Sequence, residues 1–194
     1  MKYNRKRWLG GMALVLLAAL GAAFLATGAT ASQKGADADT QLAAVRTAIS
    51  GFDTTAKAQA AGWNLQPGLN QCFDNPGVGA MGFHYINPAL LDTTFDLLKP
   101  EAIVYEPLPG GLLKLAAVEY IVPAAPWDAE GHAGPPTAPA LGQTFHLNQA
   151  LGVYVLHAWT FKNNPAGIFQ DWNPDVSCPV APNPPNTGTG PPRS

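Results

Sequence analysis

The chain holds two cysteines, Cys72 and Cys178, near the two ends of almost everything in it that looks foldable. What such a pair does depends on the compartment. In a reducing one, metal ligation or inert burial is the default; in an oxidising one, a bridge is. A Cys72–Cys178 bridge would close a loop of about 107 residues, worth up to roughly 4–5 kcal/mol in the chain-entropy account of cross-linking. It would also tie the loop before the first strand to the segment after the last element.

The amino end decides between the two compartments. Lys2, Arg5, Lys6 and Arg7 precede an apolar run from Leu9 to Leu25, and Ala29-Thr30-Ala31 follows it. The run is shorter than the ~20 residues of a spanning helix, and an A-x-A site closes it. Residues 1–31 therefore read as a secretory signal peptide cleaved after Ala31, not as a retained anchor. No Cys near the site invites lipidation, and no adjacent arginine pair marks the twin-arginine route. The expected location is extracytoplasmic, secreted or in the cell envelope, and a disulfide is the expected fate of the cysteines.

Cleavage changes the charge. Four of the 11 Lys+Arg leave with the signal peptide, so seven remain against 13 Asp+Glu, a formal charge of −6. Such a surface cannot neutralise a row of phosphates, so nucleic acid is excluded as a partner, as is an anionic membrane once the signal peptide is gone. About 160 residues remain, enough for one domain with a core of its own.

Residues 32–38 read as a flexible lead and 39–178 as a single domain. Leu42, Val45, Ile49 and Phe52 recur at helical spacing, with Thr40 as N-cap; Ala56 and Ala60 continue the stripe to a stop at Gly62, and Gly51 offers a break. Residues 64–80 read as loop. Pro76-Gly77-Val78-Gly79 lacks the following Lys-Ser/Thr of a phosphate cradle. Strands are predicted at 81–86, 102–106, 112–122, 143–147 and 153–161, the second and third joined as a hairpin through Pro107–Gly111. Asn87-Pro88 predicts a helix to about Leu98, and Asn164-Pro165 a brief one. Residues 123–139 look too broken for any element. The Pro-rich tail, 179–194, reads as disordered. The fold class is α+β: amino-terminal helices, then a curved, mostly antiparallel, cone-like sheet with short inserted helices, with a ferredoxin-like sandwich as the alternative.

Chemistry is suggested by polar residues on apolar strand faces. His157 shares a face with Val153, Val155, Trp159 and Phe161. Glu119 shares one with Leu113, Leu115, Ala117 and Ile121, and His84 shares one with Gly82 and Ile86. An unpartnered carboxylate there costs several kcal/mol or raises its pKa. Two imidazoles and a carboxylate form a sufficient acid/base set, and also a first shell for a divalent metal such as Zn or Fe. The plainer alternative is three mutually satisfied core residues. Glu106 is a reserve carboxylate: if it pairs with Leu112 it lies roughly 23 Å from Glu119, on the opposite face and beside Lys114. His146 is a second reserve. His132 reads as solvent-exposed, and Tyr85 and Trp159 as pocket walls.

Ala60–Trp63, Gly79-Ala80-Met81-Gly82-Phe83-His84-Tyr85-Ile86-Asn87-Pro88, Val118-Glu119-Tyr120, Leu156-His157-Ala158-Trp159 and Asn164-Pro165-Ala166-Gly167 resemble motifs of an uncharacterised family of small exported bacterial proteins. The resemblance extends through Pro100-Glu101 and Tyr105-Glu106-Pro107 to Asn173–Cys178, and covers most of residues 42–178. It implies no activity. It does coincide with His84, Glu106, Glu119, His157 and the carboxy-terminal cysteine. Ala158 stands where a bulkier apolar residue is expected, and the Pro-rich tail is an addition. Three functions follow from these residues: an exported small-molecule enzyme or metal-binding protein with a His/Glu site in a sheet pocket, a non-catalytic ligand-binding protein, or a structural domain.

Overall fold

The computed structural model describes residues 37–179. The expected signal peptide, most of the lead and the tail beyond residue 179 lie outside the described residues. Residues 37 and 38, expected in the lead, are already helical, so Thr40 lies inside helix α1 (37–49) and is not its N-cap. The stripe expected on this helix is the buried one. Leu42, Val45 and Ile49 are each 2 % exposed or less, and burial of each contributes about 1.5–3 kcal/mol. A 3-10 turn at Ser50–Phe52 separates α1 from α2 (Thr55–Ala60), whose N-cap Thr54 accepts from the Lys57 backbone amide. Gly62 then turns at φ 104°. That backbone conformation favours glycine, and a Cβ there would also press on the Asn87 side chain.

Among the described residues eight strands follow: β1 (Phe73–Asn75), β2 (Gly79–Ile86), β3 (Ala102–Pro107), β4 (Leu113–Pro123), β5 (Thr137–Ala138), β6 (Gln143–Thr144), β7 (His146–Asn148) and β8 (Val153–Ala158). Six form an antiparallel sheet in the order β1-β2-β3-β4-β8-β7, strongly curled into a half-barrel; β5 and β6 pair separately. The fold is thus α+β with a curved sheet, as expected. Among the described residues no helix is long and apolar enough to cross a membrane.

Several segments depart from expectation. The helix expected from Pro88 to Leu98 stops after one 3-10 turn, Pro88–Leu90. Asp92 and Asp96 accept hydrogen bonds from the backbone amides of Thr94 and Leu98, two residues on in each case. Such local bonds compete with the helical ladder. The brief helix after Asn164 is only a turn, with Asn164 accepting from Ala166 N. Residues 64–80 contain a short strand, β1, at the sheet edge. The stretch 123–139 holds a helix, α3 (Ala124–Ala129), as well as β5. The strand expected at 143–147 divides into β6 and β7 around Phe145, which is buried in the main core.

One irregularity controls the rest. Between Val104 and Tyr105 the β3–β4 register shifts: Val104 faces Ala117 but Tyr105 faces Leu115, leaving Ala116 as an extra residue. The bulge reverses the alternation along β4. Leu115 packs in the core beneath the helices with Val118, Tyr120 and Val122, while Ala117 packs on the other side of the sheet with Val104 and Trp159. The expectation that Leu113 and Leu115 share a face with Glu119 is therefore wrong. So is the expectation that Glu106 faces away from Glu119, because Ala102, Val104 and Glu106 alternate onto one face of β3.

The helices cover one face of the sheet, where α1, α2 and the aromatic residues Tyr85, Tyr105 and Tyr120 form the main core. Tyr105 and Tyr120 reach through it to donate to the Phe52 and Leu97 carbonyls at 2.6 and 2.7 Å. The opposite face carries smaller side chains and is crossed by the chain after β8. There Asn173 bridges Ala80 through two backbone hydrogen bonds of 3.1 Å. The Cys72–Cys178 disulfide staples the end of this crossing segment to the residue before β1, at a Cα separation of 5.6 Å. Glycine is obligatory at Gly79, where a Cβ would collide with the Asn173 carbonyl.

Candidate functional site

His84, Glu119 and His157 stand on that second face. Glu119 and His157 are direct partners across β4 and β8, Glu119 is also partnered by Ala102 of β3, and Ala102 by Ile86 of β2. Directly opposed residues point the same way, and His84 lies two residues from Ile86, so all three side chains share the face. Strands β2 and β4 lie two spacings apart, roughly 9.6 Å. The methyl group of Ala102 leaves the space over β3 open, and the His84 and Glu119 side chains lean across it. His84 Nε2 comes within 3.6 Å of Glu119 Oε2. The His84 and His157 rings lie 5.9 Å apart, edge to face. Phe73 of β1 abuts His84 at 5.2 Å, and Trp159 backs His157 at 4.7 Å.

Burial sets the protonation of the group. His157 is fully buried, His84 is 4 % exposed and Glu119 8 %. Desolvation pushes the Glu119 carboxyl up to about 8, helped by the negative charges of Asp171 and Glu101. Desolvation holds His84 down at about 4 against the opposing pull of Asp171. It holds His157 at about 3, helped by repulsion from His84. At neutral pH the trio is therefore two neutral imidazoles and a protonated carboxyl. The 3.6 Å approach is too long for a hydrogen bond and is not an ion pair in that state. Both His157 ring nitrogens and His84 Nδ1 lack a hydrogen-bond partner among the described residues. The Gly82 backbone also favours a proton on His84, against the stronger effect of burial.

The group opens to the exterior through a recess. His84 and Glu119 are among its deepest lining residues, Phe73, Ile86, Ile121 and Val155 form apolar walls, and the half-exposed Leu147 and Leu151 lie at its rim. Its volume is about 70 Å³. A recess of that size admits only a small ligand. The reserve residue His146 lines this recess from β7 and contacts Asp171 at 3.0 Å; that contact raises the imidazole pKa. Asp171 and Trp172 come from the crossing segment stapled by the disulfide, so the bridge positions one wall of the recess.

Other expected members lie elsewhere. Tyr85 follows His84 in the strand and so points to the helix-covered core, against Tyr105. Trp159 packs behind His157 and donates to the Gln170 carbonyl at 2.7 Å, away from the recess. His157 itself is behind the recess and does not line it. Glu106 shares the face but sits four residues along β3 from Ala102, roughly 13 Å. It is held by Lys162 at 2.7 Å and Lys114 at 3.9 Å. Its register partner is Lys114, not Leu112. His132 is exposed, stacked on Trp127 and paired with Glu130. Among the described residues no set of three or more His, Cys, Asp or Glu side chains converges so as to hold a metal ion.

Two residues escaped the sequence reading as site residues. Asp171 lies in a segment without regular structure, where no periodicity announces it. Glu101 precedes β3 and is 3 % exposed; its Oε2 accepts from Ile121 N at 2.8 Å, standing in for a strand residue that β3 does not supply. Its carboxyl is also pushed up to about 8, mainly by burial. A buried acid at a strand start looks, in sequence, like any turn residue. No family model, curated protein or solved structure matches the chain.

Proposed function

We propose that this domain binds a small molecule in the recess on the sheet face and holds His84 and Glu119 against it as a proton-exchanging pair. One observation carries the reading. The buried Glu119 carboxyl and His84 imidazole, 3.6 Å apart, line an otherwise largely apolar recess that opens to the outside. A purely structural pair would be expected to complete its hydrogen bonds within the protein. A carboxyl raised toward neutrality is suited to act as a general acid, and a neutral imidazole as a base. His157, buried behind His84, supports the face without touching the ligand.

Ligand-observed NMR with a set of small aromatic and aliphatic fragments tests this, using the protein and its Leu151→Trp variant. Leu151 is 44 % exposed at the rim, so a tryptophan obstructs the opening with little effect on folding. Fragment binding to the parent, weakened tenfold or more in the variant, supports the recess as the site. Binding that the variant leaves unchanged, or no binding at all, overturns it.

A divalent metal, Zn or Fe, on His84, Glu119 and His157 is the second reading. Its support is that both imidazoles are neutral, the form that a metal binds, and share a face with a carboxyl. Elemental analysis of protein purified without a histidine tag tests it. Stoichiometric metal lost on His84→Ala supports it, and a trace content that zinc addition does not raise discards it.

Export belongs to the same reading. The disulfide supports an oxidising compartment, and the signal-peptide pattern of residues 1–31 accounts for arrival there. Intact mass of secreted protein should begin at Ser32, and a mass retaining the apolar run would refute the proposed cleavage.

A further inference from the structure

Resting on the small-molecule reading above, we infer that the recess takes a small apolar amine, a single ring or short hydrocarbon carrying one protonated nitrogen, with Glu119 as its counter-ion. Three observations converge on this class. The first is the set of ionisable groups around the recess: Glu119 and Asp171 are acids, His84 and His146 are imidazoles, and among the described residues no Lys or Arg lines it. Lys57, Lys99, Lys114 and Lys162 are engaged with carboxylates elsewhere. An anionic ligand would enter beside Asp171 and meet no Lys or Arg among the described residues. The one imidazole that readily charges, His146, is already committed to Asp171 at 3.0 Å.

The second is the state of Glu119. It is 8 % exposed, makes no hydrogen bond among the described residues and has only His84 within ion-pair reach. A neutral alcohol can satisfy that carboxyl with a hydrogen bond but gains nothing from the surrounding negative field. An ammonium gains both. As it enters, the Glu119 O–H bond breaks and the proton leaves to solvent, so the ammonium N–H groups face a carboxylate in a low-dielectric site. The third is the wall. The rings of Phe73 and Trp172 border the recess, and aromatic faces attract a desolvated cation. The recess, about 70 Å³, limits the ligand to a small molecule.

Three near-isosteric probes separate this inference from the reading beneath it: benzylamine, benzyl alcohol and benzoate, titrated calorimetrically into the protein at neutral pH. The inference expects benzylamine to bind at least tenfold more tightly than benzyl alcohol, and benzoate to show no heat of binding. In Glu119→Gln the amine should lose its tenfold advantage over the alcohol. Alcohol or benzoate binding as tightly as the amine would overturn the amine inference and leave the recess as a small-molecule site. No binding by any of the three overturns both. The comparison in the unaltered protein does not depend on how well the variant folds.

Discussion

Replacing Glu119 with Gln tests the electrical state of the site. Burial holds the carboxyl at about 8 in the folded chain, against an ordinary 4.5. Between those values the native protein keeps a proton that the unfolded chain has released. The unfolded state binds fewer protons, so this group makes stability fall as pH rises through that window. One such group changes stability by about 1.4 kcal/mol per pH unit, and by about 5 kcal/mol across the interval. Gln has nearly the same shape and does not ionise. The two proteins should therefore unfold at similar urea concentrations near pH 4.5. The variant should gain steadily from pH 5 upward and level off some 5 kcal/mol more stable above pH 8. Glu101, His84 and His157 also titrate abnormally, but they do so in both proteins and largely cancel from the difference. Urea unfolding followed by tryptophan fluorescence at each pH from 5 to 9 gives the curve. A difference that stays flat, or grows in the opposite sense, would mean that Glu119 is ionised in the fold beside a charged His84, and the desolvation argument would fail.

Replacing both cysteines with serine should cost about 4–5 kcal/mol, read as a lower urea midpoint, because the denatured chain regains the freedom of a loop of some hundred residues. Asp171→Asn should return the His146 pKa toward 6.5 from its raised value, followed by ring-proton NMR. The same change should alter stability by less than about 1 kcal/mol, since the pair is partly exposed. Tyr105→Phe removes the hydroxyl that donates to Phe52 O at 2.6 Å. It should cost about 1–2 kcal/mol and quicken amide exchange in α1 and α2 first.

The α+β class, the helical stripe Leu42–Ile49 and the main strands were legible in the sequence, because apolar spacing and turn residues are local signals that tertiary packing reinforced. The cysteine pairing was legible too, since only two cysteines exist to be paired. The two-residue period placed His84, Glu119 and His157 each on a largely apolar strand face, and the cross-strand register decided that the three faces are one. What a sequence cannot carry is register. The extra residue Ala116 reversed the alternation of β4 below Ala117 and brought Glu106 onto the site's face, yet left it bound to two lysines. Helix length after Pro88 was likewise decided by aspartate side chains competing for backbone amides. The recess itself exists only because the crossing segment, pinned by the disulfide, brings Asp171 and Trp172 over the sheet to residues roughly fifty to ninety positions earlier in the chain. Long-range apposition of that kind is settled by which surfaces bury one another, and no local pattern encodes it.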